Sequence, residues 1–208
     1  FSFVIFAKDL PSPNKLTARD SSLSTKIYDR NDKLLYDIYG DKNRALVNWA
    51  ELPPYVKQAT ISIEDKDFYK HKGFSVFGIG RAVVSIFLFR DIQGGSTITQ
   101  QVVKNTLLTS EQTVTRKVKE FILSLQVERK YTKDEILQIY LNEVPYGGTA
   151  WGVEAASQTY FNKNAKDLTM AEAVILAGLP QRPSFYSPYG TNPKAYIARA
   201  GDVARRMR

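Results

Sequence analysis

The stretch from Ile61 to Phe74 reads ISIEDKDFYKHKGF and combines acidic and aromatic side chains with the only histidine of the chain, His71. It follows apolar residues at helical spacing, so the Glu64–Asp65 pair lies where a buried helix meets a loop. A carboxyl group there has an apolar wall that tunes its pKa and keeps access to a substrate, as general acid–base chemistry requires. The alternative is a helix end with solvated acidic side chains. The lone His71 is expected to be a structural hydrogen-bonding residue, because no second histidine gives a metal-ligand spacing.

Composition limits the class of protein. Of the 208 residues, 43% are hydrophobic and 24% are charged, which is typical of a globular protein with a core. The chain contains no cysteine, which excludes disulfides and cysteine-ligated metals. Its net charge of +8 favours an anionic partner: nucleic acid, anionic lipid or a phosphorylated substrate. Residues Phe1 to Ala7 are apolar, but a membrane-spanning helix needs roughly 20 such residues. They are either the end of a membrane anchor or a plain apolar N-terminus.

The order of apolar and turn residues predicts a mainly α-helical fold with a small β element near the N-terminus. A β-hairpin is predicted from Lys26–Tyr28 and Leu34–Tyr39, with a third short strand at Ala45–Val47. Pro145–Gly152 is predicted to be a glycine-rich loop, and Thr115–Lys130 a helix. Other helices are predicted to begin at capping boxes, in which Thr and a later Glu or Gln satisfy backbone N–H groups reciprocally. The boxes are Thr97–Gln100, Thr132–Glu135 and Thr169–Glu172.

The most apolar stretch of the chain runs from Phe74 to Phe89 and is interrupted by Arg81 and small residues. A run of this length forms either a buried helix or a segment that dips into a membrane interface. We expect it to be mobile without lipid, because its apolar surface needs a bilayer or a substrate tail to bury against.

A second informative stretch, Gly94 to Gln101, reads GGSTITQQ and places two glycines before a helix start. Unpaired backbone N–H groups and the positive end of the helix dipole suit a phosphate or a sugar hydroxyl. Lys104 follows one to two turns further along the helix. A plain helix start would show the same pattern.

The third stretch is Arg116-Lys117-x-x-Glu120 on the predicted helix Thr115–Lys130. These three side chains are expected to share a face opposite the apolar stripe. One reading is an exposed ion pair that stabilises the helix by about 0.2–0.5 kcal/mol. The functional reading is a cationic clamp for a pyrophosphate, with a second carboxylate beside it.

Six motifs together resemble one family. They are Glu64–Gly73, Gly94–Gln101, Arg116–Glu120, Lys133–Asn142, Gly152–Ala156 and Ala171–Pro180, in that order. The series strongly resembles the peptidoglycan glycosyltransferase family (glycosyltransferase family 51), the glycan-polymerising domain of class A penicillin-binding proteins. The resemblance covers the chain from about Thr25 to Pro188.

This resemblance implies a mainly α fold, with a lysozyme-like large lobe and a smaller membrane-associated jaw lobe. The implied reaction is glycan-strand polymerisation from lipid II, with inverting transfer from an undecaprenyl-pyrophosphate-linked donor to the 4-hydroxyl of the acceptor. Glu64 matches the general base and Glu120 matches a second, more supportive carboxylate. Matches to substrate-binding positions are Asp65, Phe68, Arg81, Ser96, Gln100, Gln101, Lys104, Arg116 and Lys117.

The implied partners are lipid II, the growing glycan strand, the membrane lipid surface and phosphoglycolipid inhibitors of the moenomycin type, without nucleic acid. No cofactor is assigned, and a divalent cation (Mg²⁺ or Mn²⁺) at the pyrophosphate is left open. The implied location is the outer, periplasmic face of the bacterial cytoplasmic membrane, with a single-pass anchor in the full-length protein.

Class A members carry a transpeptidase domain after the glycosyltransferase. Ser12-x-x-Lys15 fits one transpeptidase motif, but it lies in a proline-rich spacer and no Lys-Thr-Gly follows, so we interpret it as chance. We expect residues 1–24 to be the end of an anchor and a linker, and residues 25–190 to be the glycosyltransferase domain. Residues 191–208 are expected to begin a linker toward a transpeptidase domain outside this sequence.

Two other functions are weighed against polymerisation. A lysozyme-like enzyme could instead cleave peptidoglycan, although the Arg116-Lys117 clamp argues against this because cleavage releases no pyrophosphate. A non-enzymatic module that binds anionic lipid or nucleic acid would use the net positive charge alone. The acids interleaved with the basic residues, such as Asp65, Asp67 and Glu120, disfavour that reading.

Overall fold

The structure is a computed structural model that describes residues 10–16, 25–31, 34–38, 43–74, 96–109, 113–190 and 192–208. The chain divides into two compact units, each formed from two segments. Unit 1 comprises Phe1–Arg19 and Glu64–Tyr140, and unit 2 comprises Asp20–Ile63 and Leu141–Arg208. The apolar stretch expected to be mobile, from Phe74 to Phe89, lies outside the described residues after Phe74.

The described residues are mostly helical, which confirms the predicted mainly α fold with a small β element. The α-helices are α1 (Pro54–Glu64), α2 (Ile98–Thr106), α3 (Val114–Lys130), α4 (Lys133–Glu143), α5 (Val153–Phe161), α6 (Met170–Gly178), α7 (Pro183–Tyr186) and α8 (Ala195–Arg206). Short 3-10 helices cover Pro13–Leu16 and Ala165–Asp167. None of the described helices combines the length and apolarity that crossing a bilayer requires.

Unit 1 is built on the packing of α2 against α3. Three side chains of α2 and α3, Val103, Leu123 and Val127, are completely buried in this unit. The predicted capping box at the start of α2 is present: the Thr97 side chain accepts from Gln100 N, and the Gln100 side chain accepts from Thr97 N. These reciprocal hydrogen bonds fix the first turn of α2, which carries several of the predicted site residues.

Unit 2 contains the strands. They are β1 (Thr25–Tyr28), β2 (Leu34–Ile38), β3 (Asn43–Arg44), β4 (Pro145–Gly147) and β5 (Ala150–Trp151). Strands β1 and β2 pair antiparallel with Thr25 opposite Ile38, which confirms the predicted hairpin. In the second sheet, β5 lies between β3, to which it is parallel, and β4, to which it is antiparallel.

Two predictions in unit 2 are wrong in detail. The third strand is Asn43–Arg44 rather than Ala45–Val47, because the Val47 N–H donates to the Asn142 side chain (2.9 Å) instead of to a strand. The stretch predicted to be a glycine-rich loop, Pro145–Gly152, forms β4 and β5. Gly147 and Gly148 have φ angles of +113° and +56°, which let the chain turn back between the two short strands.

The segment expected to begin a linker, residues 191–208, contains helix α8, so that expectation is wrong. Helix α8 packs on α6, and Val203 is completely buried in an apolar cluster with Ala59, Ile63 and Ala177. The segment was expected to be a linker because the residues before and within it are rich in proline, tyrosine and arginine. Whether a transpeptidase domain follows remains a prediction.

Candidate active site

Glu64 is the last residue of α1 and is half-buried. Its Oε2 accepts a hydrogen bond from the side-chain amide of Gln101 on α2 (2.7 Å). The Glu64 carboxylate is therefore oriented by the neutral side-chain amide of Gln101. A carboxylate held in this way is suited to accept a proton.

Asp65 holds the loop after Glu64 against the start of α2. Both of its oxygens lie 2.9 Å from His71 Nε2, and its Oδ2 accepts from the Ile98 N–H (3.0 Å). His71 Nδ1 accepts from the Gly73 N–H, so the ring carries its proton on Nε2. A carboxylate at a helix N-terminus is electrostatically favourable. The structural role predicted for His71 is confirmed. The Asp65 carboxylate makes these contacts within the protein, and its contact with substrate stays a prediction.

Two further predicted substrate-binding residues are engaged inside unit 1. Phe68 is completely buried, with Lys133 Nζ 4.5 Å above its ring, so its side chain has no surface to offer a substrate. Gln100 is 8% exposed and its side chain caps α2. Packing and capping account for these two side chains, and contact of either residue with substrate stays a prediction.

Glu120, Lys117 and Ser96 form a connected group. Lys117 Nζ donates to Ser96 Oγ (3.0 Å) and to Glu120 Oε1. Glu120 is only 1% exposed, whereas the Lys117 side chain is 54% exposed. The prediction that Glu120 lies opposite the apolar stripe is therefore wrong. Its carboxylate is buried, and its cost of desolvation is offset by the lysine that reaches over it.

Among the described residues, Glu120 Oε2 has no hydrogen-bond partner, and neither has Arg116 Nε. Both atoms are buried. An unsatisfied buried polar atom is costly, so each one requires an explanation, and a bound ligand is one such explanation.

Lys104 shows that the charged residues converge. The pKa of its ammonium is lowered, chiefly by loss of hydration, and then by Lys117 and Arg116, while Glu120 and Glu64 act in the opposite direction. All four charges are thus within electrostatic reach of one ammonium group. The structure brings together residues as far apart in sequence as Glu64 and Glu120, a convergence that spacing along the chain could not show.

A buried group that sequence reasoning did not identify lies further along α3. Glu128 accepts from Thr99 Oγ1 and from Lys133 Nζ (2.7 Å). Gly73 adjoins it with φ of +87°, and a Cβ added there would lie 3.0 Å from Glu128 Cγ. The glycine was visible in the sequence, but its partner was not. Arg81, a predicted substrate-binding residue, lies outside the described residues.

Comparison with known proteins identifies the family. The sequence model of the transglycosylase family matches residues 31–208. The chain belongs to the transglycosylase family. This confirms the resemblance carried by the six motifs, and with it the enzyme class, a peptidoglycan glycosyltransferase.

Relatives of this transglycosylase chain are longer proteins. It is 44% identical over 187 residues to penicillin-binding protein 1A of Rickettsia bellii, covering 88% of this chain and 24% of that protein. It is 45% identical over 166 residues to penicillin-binding protein 1F of Bacillus subtilis, covering 79% and 23%. The chain thus spans about a quarter of the length of these curated relatives. This chain is also similar to a crystal structure of penicillin-binding protein 1A from Haemophilus influenzae, with 24% sequence identity and a TM-score of 0.49. The match covers 89% of this chain and 18% of the Haemophilus chain.

Proposed function

We propose that this domain polymerises glycan strands from lipid II, a disaccharide-peptide carried on a polyprenyl pyrophosphate. The observation that carries the proposal is that Glu64 and Lys117 both hydrogen-bond at the start of α2, Glu64 to Gln101 (2.7 Å) and Lys117 to Ser96 (3.0 Å). Glu120 contacts Lys117, and Lys104 lies on the same helix α2. A base and a cluster of cations are the two components that displacement of a pyrophosphate by a hydroxyl requires.

In the proposed reaction, Glu64 takes the proton from the 4-hydroxyl of the acceptor sugar. The oxygen of that hydroxyl bonds to C1 of the donor, and the bond from C1 to the pyrophosphate oxygen breaks with its electron pair. Attack from the side opposite the leaving group inverts α to β. Gln101 supports this step because its amide fixes the Glu64 carboxylate by a 2.7 Å hydrogen bond.

The cations are proposed to neutralise the departing pyrophosphate. The Lys117 side chain is 54% exposed, and its ammonium donates to Ser96 and Glu120, so one of its three N–H groups remains for a phosphate oxygen. Arg116 contributes a buried Nε that lacks a partner among the described residues. Charge-assisted hydrogen bonds from such groups to phosphate are about twice as strong as neutral ones. Glu120 orients Lys117 and limits the repulsion between neighbouring cations.

The same side chains do not fit a metal held by the protein. Within the described ranges, no group of three or more His, Asp or Glu residues is placed to hold a metal ion. The cations around Lys104 would also repel a divalent ion. We propose that lysine and arginine supply the charge neutralisation.

Membrane association belongs to the proposal as well. A lipid-linked substrate requires an enzyme at the outer face of the cytoplasmic membrane, and the apolar residues 74–89 provide a sequence suited to that interface. Phosphoglycolipids of the moenomycin type carry a phosphate on a lipid and would compete for the same cations. The membrane-inserted jaw lobe and the single-pass anchor remain parts of this proposal.

Replacing Glu64 tests the proposal directly. Glu64→Gln keeps the shape and the hydrogen-bonding capacity toward Gln101 but removes the base, so polymerisation of lipid II in detergent should fall at least about 1,000-fold. Glu51→Gln, an exposed carboxylate in unit 2, is the matched control and should polymerise normally. Normal strand synthesis by Glu64→Gln would refute the assignment of the base.

The lytic alternative is tested with the same proteins. Cleavage of finished glycan by water has no use for the cations around Lys104, because no pyrophosphate is released. Incubation of cell-wall sacculi with the wild-type protein should therefore release no soluble muropeptides. Release that Glu64→Gln abolishes would support cleavage instead of polymerisation.

A further inference from the structure

Unit 2 contains a pocket of ≈ 550 Å³ beside the turn between β4 and β5. The turn residues Gly147, Gly148 and Thr149 line one side, and Phe185 and Tyr189, which follow the start of α7, line the other. All of the lining residues belong to unit 2 and lie outside the charged group around Lys104. The pocket is large enough for one sugar ring and its substituents.

An aromatic platform forms one wall of this pocket. The rings of Tyr160 and Tyr189 stack with centroids 5.7 Å apart and planes inclined by 16°. Tyr189 is 76% exposed, so the ring that covers Tyr160 on one side is open to solvent on the other. The Tyr160 hydroxyl donates to the Tyr146 carbonyl (3.0 Å) and lies 3.1 Å from Ser187 Oγ. The platform is therefore held in place before any ligand arrives, which lowers the entropic cost of binding.

The rest of the lining indicates a neutral ligand. Hydroxyl groups of Thr149, Thr159 and Ser184 line the pocket, and none of its described lining residues is charged. The pKa of Tyr160 is raised, chiefly by burial, so its phenol is also neutral at physiological pH. The Arg182 guanidinium stacks on the ring of the lining residue Phe185 (4.8 Å) but is not itself part of the lining. A phosphate or an acidic peptide would therefore meet no charged residue in the described lining. A pyranose offers the complementary surface, because its C–H face packs on an aromatic ring and its hydroxyls exchange hydrogen bonds with serine and threonine.

We propose that this pocket binds one uncharged N-acetylhexosamine unit of a glycan strand, with the sugar ring stacked on Tyr189. The choice of sugar rests on the proposed function, whereas the neutral saccharide class rests on the pocket itself. A sugar-binding site in unit 2 would give the enzyme a second contact with its glycan polymer, in addition to the residues that carry out the transfer.

Gly148 allows the pocket to be filled without disturbing the platform. Its φ of +56° is in the left-handed region, which asparagine tolerates better than most residues, and a Cβ added there would meet no atom within 4 Å. Gly190 offers no such option, because a Cβ there would lie 2.4 Å from the Ser184 carbonyl oxygen. Gly148→Asn should therefore fold normally and occupy part of the space proposed for the sugar.

The test is a titration of the protein with tetra-N-acetylchitotetraose, followed by NMR signals of the tyrosine rings. We expect saturable shifts at Tyr160 and Tyr189. The Kd should rise at least about tenfold in Tyr189→Ala and in Gly148→Asn, because each removes or blocks a stacking surface. Ile197→Ala, which alters another exposed apolar side chain of unit 2, should bind as the wild type does.

Binding that survives both pocket variants, or the absence of any saturable shift at these tyrosines, would overturn the proposal. The same holds if a proline-rich peptide shifts these signals and the sugar does not. Glu64→Gln should bind the tetrasaccharide normally. The two proposals can therefore fail separately. If Glu64→Gln loses polymerisation but the wild-type protein binds no sugar, the proposal for the pocket is refuted. If the wild-type protein binds the sugar but Glu64→Gln still polymerises, the assignment of the base is refuted.

Discussion

Glu120 and Glu128 are both buried carboxylates on helix α3, yet their surroundings differ. Glu128 is paired with Lys133, whose side chain is 18% exposed, and also accepts from the Thr99 hydroxyl. Glu120 is paired with Lys117, whose side chain is 54% exposed, and one of its oxygens has no hydrogen-bond partner among the described residues. The ion-pair partner of Glu128 is largely buried, whereas the ion-pair partner of Glu120 reaches solvent.

This difference separates a structural ion pair from a functional one. A buried charge whose counter-ion is also largely buried contributes to a single packed arrangement. A buried charge beside an accessible cation and an unused acceptor is incomplete without a ligand. The group around Lys104 has this second character, and the Thr99–Glu128–Lys133 group has the first.

The largest effect expected from this comparison is on catalysis at Glu120. Glu120→Gln removes the charge that holds Lys117 in place, so kcat/KM for lipid II polymerisation should fall about 100-fold. Stability should change little, because a neutral amide costs less to bury than a carboxylate. Steady-state kinetics and thermal unfolding of the same preparation measure the two quantities. A fully active Glu120→Gln would show that this carboxylate is as structural as Glu128.

Glu128→Gln is the matched variant and should behave in the opposite way. It leaves Lys133, which is largely buried, without its counter-charge, so the free energy of unfolding should fall by about 1–3 kcal/mol. Polymerisation per folded molecule should remain within about threefold of wild type. Denaturant unfolding monitors the first quantity. A large fall in kcat at unchanged stability would contradict the distinction between the two carboxylates.

A smaller effect concerns pH. The pKa of Lys104 lies below its ordinary value of 10.5, so this lysine loses its charge at a lower pH in the folded protein than in the unfolded chain. Between the lowered pKa of the folded state and 10.5, the folded protein therefore becomes more stable as pH rises. This gain in stability is lost as pH falls through the same range. If Lys104 binds pyrophosphate, KM for lipid II should rise on the alkaline side before pH 10.5. Lys104→Arg, which stays protonated, should move that rise to higher pH. An unchanged profile would exclude Lys104 from substrate binding.

Much of the fold could be predicted because the relevant signals are local. The capping boxes at Thr97 and Thr169 set the starts of α2 and α6, and the antiparallel hairpin follows from alternating residues around a turn. The strands β4 and β5 were missed because glycine-rich residues are also typical of loops. Helix α8 was missed because proline, tyrosine and arginine residues in this part of the chain are also typical of a linker.

The site was predictable in its residues but not in their surroundings. The motif series pointed to Glu64, Lys117 and Glu120, but the prediction grouped Glu120 with Arg116 and Lys117 on the exposed face. Leu123 and Val127 follow Glu120 at i+3 and i+7 and are completely buried, so Glu120 lies on the buried face of α3. Phe68 matches a substrate-binding position and is completely buried, which a motif match alone does not show.

The most direct test of the account is a crystal structure of the domain with a non-hydrolysable lipid II analogue. We predict phosphate oxygens within about 3 Å of Lys117 Nζ and of the Arg116 guanidinium. The acceptor 4-hydroxyl should lie within about 3 Å of a Glu64 carboxylate oxygen. Phosphates bound away from these cations, or a Glu64 carboxylate that faces no sugar hydroxyl, would contradict the account.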